Sequence, residues 1–170
     1  AEADGLRFLD SDIRLSHLGY DGDLRAKRER NLPLLERAIE TTPERVFLWV
    51  DLAQALAGLN RPDQAIAACW RAIDTAAAYP DEKQNGDVTV AWQCLITLQA
   101  QLDPVEAARL ARKAAASHPH NHALRLMLAN AMFALGEAAG LPELLAPLIA
   151  IDPDTFSDPL VAYDKRIFGE

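Results

Sequence analysis

The chain has 170 residues, half of them hydrophobic and a quarter charged, a composition that supports a buried core and argues against intrinsic disorder. Its 17 basic and 25 acidic residues give a net charge of −8, which argues against nucleic acid or an anionic membrane as the main partner. No run of about 18 apolar residues occurs, so we expect no membrane span. Two cysteines, Cys69 and Cys94, are too few for a disulfide framework and indicate a reducing compartment, so we expect a cytoplasmic protein.

The first part of the chain, residues 1–22, is predicted to be a short extended segment. As an edge strand it would expose Leu15 and Leu18, so it needs a neighbouring domain or another chain, and pairing into a homo-oligomer stays open. Residues 24–42 then carry apolar side chains at helical spacing, and Pro33 predicts a kink or a late start in that helix. We interpret this helix as a half repeat.

A helix–turn–helix unit recurs after the half repeat. Residues 46–56 align with residues 89–99, and in each stretch a tryptophan, Trp49 or Trp92, is followed three positions later by a leucine. A turn and a second helical stretch follow in both cases, and a third copy begins at His122. The unit is roughly 34 residues long.

The residue types inside the unit fit two closely packed helices. Small residues, Ala65 and Ala107, let the second helix approach the first, while Pro62 and Pro104 lie in the first turn of the second helix, where a missing N–H costs nothing. Over about residues 43–153 the chain therefore resembles a tetratricopeptide repeat array. This resemblance implies an all-α fold, an α–α superhelix of about three repeats with the preceding half repeat.

Departures from the repeat predict local irregularities. The first repeat has no closing proline before Pro80, so its second helix should run long and be followed by a loop over residues 81–87. Pro147 predicts a shortened or bent last helix. An apolar stripe in residues 157–168 predicts a C-terminal helix that caps the array. The predicted divisions are therefore an extended segment (1–22), a repeat domain (23–153) and a capping helix (154–170).

The N-terminal part carries a second resemblance. His17, Gly19 and Tyr20, followed by a Lys-x-x-Arg-Asn-Leu sequence that starts at Lys27, are similar to the junction between catalytic domain and repeats in bacterial family-two glycosyltransferases. This resemblance implies a nucleotide-sugar domain upstream of Ala1, and a metal-site role for His17 within it. A lone histidine cannot hold a divalent ion, so we predict no metal in this chain.

Other conspicuous residues are interpreted as structural. We interpret Asp10 and Asp12 as solvated carboxylates, the two cysteines as packed thiols, and the tryptophans as core anchors rather than a carbohydrate platform. Three histidines alternate in an inter-repeat loop, and whether they chelate a metal is left open; they are His118, His120 and His122.

A ligand-binding surface is predicted on the first helix of each repeat, because these helices line the concave face of such an array. The lining is neutral, rich in amides and partly apolar, which suits an extended peptide. The predicted groove residues are Val50, Gln54, Gln93, Thr97, Gln101, Leu126, Asn130 and Phe133.

No catalytic signature is present in the sequence, so we predict a non-catalytic module that needs no cofactor and binds a protein or peptide. The alternative is the C-terminal fragment of a nucleotide-sugar-dependent glycosyltransferase. The sequence does not name the partner.

Overall fold

The computed structural model describes residues 24–80 and 85–150. This part of the chain forms seven α-helices and contains no strand. In chain order they are α1 (Leu24–Thr41), α2 (Val46–Gly58), α3 (Pro62–Ala78), α4 (Asn85–Leu102), α5 (Pro104–Ser117), α6 (His122–Ala134) and α7 (Leu141–Ile149).

The helices pack in the order of the chain. Each helix contacts the next, and in addition α2 packs against α4 and α4 against α6. The helices α2, α4 and α6 are therefore the first helices of three repeats, and α3, α5 and α7 are the second helices. The predicted all-α superhelix is confirmed.

Matching turns show that the repeats are structurally equivalent. After α2, Asn60 takes a left-handed φ of 59°, and after α6, Gly136 takes a φ of 73°. The residue that follows is Arg61 in the first turn and Glu137 in the second, and its backbone N–H donates to a carbonyl in the last turn of the preceding helix, at 3.0 and 2.9 Å respectively. This is the usual way to satisfy the last carbonyls of a helix, because glycine and asparagine tolerate that φ.

The turns between repeats identify α1 as a half repeat. Arg45 N donates to Thr42 O at 3.2 Å, and Asn121 N donates to His118 O at 3.0 Å. Each turn has proline, Pro43 or Pro119, at its second position, where its fixed φ is favourable. The turn after α1 thus corresponds to the turn after α5, as expected if α1 is the second helix of a repeat.

The core combines small residues at the helix contacts with large aliphatic residues from both helices of the repeats. Ala65 on α3 is fully buried and Ala107 on α5 is 1% exposed, which confirms their close packing. The largest fully buried side chains are Leu95, Leu110 and Leu124. Such close approach of helices requires small side chains at the contact.

The predicted irregularities are confirmed in part. The helix α3 runs to Ala78, and α7 has only 9 residues. The predicted loop over 81–87 is wrong at its end, because α4 already begins at Asn85 and Asp87 lies in its first turn. In the same turn the Thr89 hydroxyl donates to Gly86 O at 2.8 Å. At Pro33, α1 continues rather than starting late.

Three predictions lie outside the described residues: the extended segment 1–22, the capping helix 154–170, and the roles of Asp10, Asp12 and His17. Within the described parts, no helix has both the length and the apolar character needed to cross a bilayer.

Candidate functional site

A groove of about 780 Å³ lies between α2 and α4, close to the start of α3. We call it the α2–α4 groove. Five of its lining residues carry a neutral polar side chain: Gln54, Asn60, Gln93, Thr97 and Gln101. The remaining lining residues are Arg28, Ala57, Gly58, Pro62, Val90, Cys94, Leu98 and Leu102.

Four of the predicted groove residues meet in this space. Gln54 comes from the second half of α2, whereas Gln93, Thr97 and Gln101 follow one face of α4 at intervals of four residues. That spacing places them one above another along the helix. The side chains of Gln54, Thr97 and Gln101 are exposed, so their amide and hydroxyl groups are accessible to a ligand.

The exposure predicted for Val50 is wrong. Its side chain is 5% exposed and belongs to the core, together with Val88 and Trp92 of α4. The groove therefore opens only beside the second half of α2.

The predicted groove residues on α6 do not line the α2–α4 groove. Leu126 is half-buried, Asn130 is exposed, and the Phe133 side chain is 78% exposed. Because α6 packs against α4, these side chains lie beyond α4 on the neighbouring helix. Whether a ligand extends to them stays a prediction.

Arg28 is the residue that the sequence analysis missed. It reaches the groove from α1 and is the one charged side chain among the lining residues. Its guanidinium lies directly on the backbone of Gly58, where a Cβ would overlap it. The end of α2 carries the negative pole of that helix, which favours a cation here. In the sequence, the glycine at position 58 was the feature that could have indicated this contact with Arg28.

Cys94 lines the groove, and Cys69 lies behind it in the core. Interaction with the Cys69 thiol lowers the pKa of Cys94, against the opposing effect of burial. Interaction with the Cys94 thiol, together with burial, raises the pKa of Cys69. Cys69 is packed as predicted, whereas Cys94 is only half-buried.

The tryptophans make structural contacts. Trp92 is 2% exposed and meets Trp70 edge to face, with ring centroids 5.8 Å apart. Lys113 of α5 lies 5.6 Å from the Trp70 ring centre and 5.7 Å from that of Trp92. Trp49 donates its indole N–H to Pro43 O at 2.9 Å. None of the three lines the α2–α4 groove.

The histidine loop forms the turn between α5 and α6. His118 ends α5, with Nδ1 lying 3.3 Å from Ala114 O, and Asn121 caps α6 by accepting from Leu124 N at 2.9 Å. Within residues 24–80 and 85–150, no group of three or more His, Cys, Asp or Glu side chains is placed to hold a metal ion.

Comparison with known families bears on the second half of the chain. Residues 98–162 match the tetratricopeptide repeat family. The match begins near the end of α4 and includes α5, α6 and α7, so it covers the last complete helix pair of the superhelix. No significant match was found among curated proteins or among solved structures. The family match does not reach the stretch that resembles a glycosyltransferase junction, and that origin stays a prediction.

Tetratricopeptide repeats generally mediate contacts between proteins and are typically non-catalytic. The match therefore favours a protein partner for this chain.

Proposed function

We propose that this chain is a non-catalytic binding module that holds an extended polypeptide segment in the α2–α4 groove. The observation that carries this proposal is the row of Gln93, Thr97 and Gln101 along α4, opposite Gln54 of α2. An extended peptide presents unpaired N–H and C=O groups along its length, and side-chain amides can both donate to and accept from such groups.

The apolar part of the lining supports the same ligand. The polar side chains alternate along α4 with three apolar ones, Val90, Leu98 and Leu102. A peptide with alternating apolar residues can therefore bury its own apolar side chains against these three while its backbone hydrogen-bonds to the amides. Arg28 adds one positive charge, which favours a ligand carbonyl or carboxylate near α1.

The lining gives no support to catalysis. Besides amides and one hydroxyl it contains the Arg28 guanidinium and the Cys94 thiol, but neither a carboxylate nor a histidine to act as a general base beside Thr97 or Cys94.

The proposal is tested by selection from a displayed library of linear peptides, followed by titration of the selected peptides against the purified chain. Thr97→Arg would fill the groove, and we expect it to abolish binding of those peptides. Ala100→Arg is the matched control, since Ala100 is exposed on the same helix outside the groove lining, and it should bind as well as the wild type. Equal loss in both variants, or no selected peptide at all, would contradict the proposal.

We also propose, as a second candidate, that the module is the accessory region of a nucleotide-sugar-dependent glycosyltransferase. Its support is the sequence resemblance that places Lys27, Arg30, Asn31 and Leu32 in a helix, and these residues lie in α1. The DNA upstream of the Ala1 codon tests it. A reading frame for a sugar-nucleotide domain would support the fusion, and a start codon directly upstream would exclude it.

A further inference from the structure

Arg28 brings into the α2–α4 groove a positive charge that no carboxylate of the described residues neutralises. Its side chain is half-buried, and the groove lining contains no acidic residue. Within residues 24–80 and 85–150 it makes neither an ion pair nor a hydrogen bond, whereas Arg25 on the same helix pairs with Glu29 at 3.0 Å. A half-buried guanidinium has lost part of its hydration, which a charge-assisted hydrogen bond to a ligand carboxylate replaces.

Arg28 lies at the end of the groove where α2 and α4 both finish. Its guanidinium lies on Gly58, the last residue of α2, and α3 runs back from there to the start of α4, packing against both helices. The helices α2 and α4 therefore run in the same direction. Gln101, in the last turn of α4, accordingly lies at the Arg28 end of the groove, and Gln93 lies at the other end.

The polar row on α4 has a spacing that an extended peptide can match. Four residues of an α-helix rise about 6 Å, and two residues of an extended chain span about 6.5 Å. Gln93, Thr97 and Gln101 can therefore each meet every second residue of an extended peptide, over a stretch of about five residues.

The lining continues beyond Arg28 into the turn after α2, where Asn60 and Pro62 belong to it. A ligand chain can therefore run past the guanidinium rather than end at it, which favours an acidic side chain within the peptide over a terminal carboxylate. The whole chain has a net charge of −8, which repels a strongly acidic ligand. One acidic residue among neutral ones is therefore the charge pattern that suits this groove.

We propose that the polypeptide partner is recognised through one internal Asp or Glu residue, whose carboxylate pairs with Arg28 while about five neutral residues beside it follow the polar row of α4. This inference rests on the proposed function, because it names the chemistry of the peptide that occupies the α2–α4 groove. Arg28 is then the residue that determines specificity, and the amides of α4 hold the peptide backbone.

The experiment titrates peptides selected on the wild-type chain, each in three forms: the parent, a form whose acidic side chain is replaced by its amide, and a form with an amidated C-terminus. We expect the side-chain change to weaken binding to the wild type about tenfold, as for a hydrogen bond between charged groups, and the amidated C-terminus to have no effect. Arg28→Gln should bind the parent and its side-chain amide equally, within about twofold. Arg37→Gln removes an exposed arginine of α1 outside the groove lining, and this control should discriminate as the wild type does.

Gly58→Ala provides a second variant in which the charge stays in the chain. A Cβ at position 58 overlaps the Arg28 guanidinium, so the guanidinium must move, and the preference for the acidic peptide over its amide should fall. Circular dichroism verifies that each variant is folded. If Arg28→Gln does not fold, Gly58→Ala decides.

Three results would overturn the inference while leaving peptide binding in place. Peptides that lose binding to Thr97→Arg could share no acidic residue, the preference for acid over amide could persist in folded Arg28→Gln, or amidation of the C-terminus could abolish binding while the side-chain change does not. Peptides that bind Thr97→Arg as well as the wild type, or a selection that yields no peptide, would instead contradict the proposed function itself.

Discussion

Gly58 and Arg28 show how an absent side chain positions a charge. Arg28 lies on the Gly58 backbone, and no other residue type at position 58 leaves that space free. Arg28 is a long, flexible side chain, so it can move aside when the space is filled, at little cost to the fold. Gly58 thus determines where the groove's charge lies more than it determines stability.

We expect Gly58→Ala to raise the free energy of unfolding by up to about 1 kcal/mol, because Gly58 is a helical residue with ordinary φ and alanine reduces the entropy of the unfolded chain. Gly136→Ala is the matched control: Gly136 has a φ of 73°, so alanine there should destabilise by about 1 kcal/mol or more. Urea unfolding measures both. Equal destabilisation in the two variants would mean that Arg28 is held rigidly.

Asp51 and Asp87 carry a pH-dependent contribution to stability. Partial desolvation raises the pKa of Asp51 on α2, although its side chain is still exposed, and desolvation followed by the charge of Asp51 raises the pKa of the half-buried Asp87 on α4. The folded chain therefore binds these protons more tightly than the unfolded chain, and ionisation of the two carboxylates opposes folding.

Asp51→Asn should accordingly stabilise the protein at neutral pH. The gain should shrink as the pH falls through the raised pKa values toward the ordinary value of 3.8, because the wild-type carboxylates then become neutral as well. Urea unfolding at a series of pH values tests this. Asp74→Asn, at an exposed position on α3, is the control and should have little effect. A stability gain of Asp51→Asn that grows as the pH falls would contradict a raised pKa of Asp51.

At the scale of the helices, packing depends on alanines at the contacts. On α5, Ala107 is 1% exposed, whereas Ala116 is exposed on the same helix. A larger side chain is therefore tolerated at position 116 and not at position 107.

Ala107→Leu should destabilise the protein by about 1–3 kcal/mol, since a well-packed core has no room for the added carbons. Ala116→Leu should change stability by less than about 0.5 kcal/mol. Thermal or urea unfolding of the two variants checks the difference. Similar values for both would show that α4 and α5 are not in close contact at Ala107.

The helices could be predicted from the sequence because the repeat fixes which positions face inward. The polar row on α4 followed directly from the period, as Gln93, Thr97 and Gln101 lie outside the apolar stripe. Val50 could not be placed in the same way, because its burial in the core depends on packing between helices, which the repeat period does not record. Arg28 was missed because its contact with Gly58 joins residues of different helices, which no local pattern records.

At the scale of the whole molecule, burial is uneven along the superhelix. The helix α3 has five buried residues, among them Ala65 and Cys69, whereas α7 has none and its Ile149 is 80% exposed. Local stability in a repeat array depends on contacts with neighbouring helices.

We therefore expect backbone amides of α7 to exchange with deuterated water much faster than those of α3. Hydrogen exchange followed by mass spectrometry of peptides from each helix provides the measurement, and peptides from α6, where Leu124 and Ala129 are buried, give an intermediate reference. Exchange in α7 as slow as in α3 would mean that another part of the chain, or a second copy, covers α7.

The edge-to-face contact of Trp70 and Trp92 makes the protein its own optical probe. All 3 tryptophans of the chain lie on α2, α3 and α4, and Lys113 of α5 completes the environment of two of them. Fluorescence emission therefore reports on the first two repeats and on the docking of α5 against them. The third repeat, α6 with α7, has no tryptophan, so its loosening does not change the tryptophan fluorescence directly.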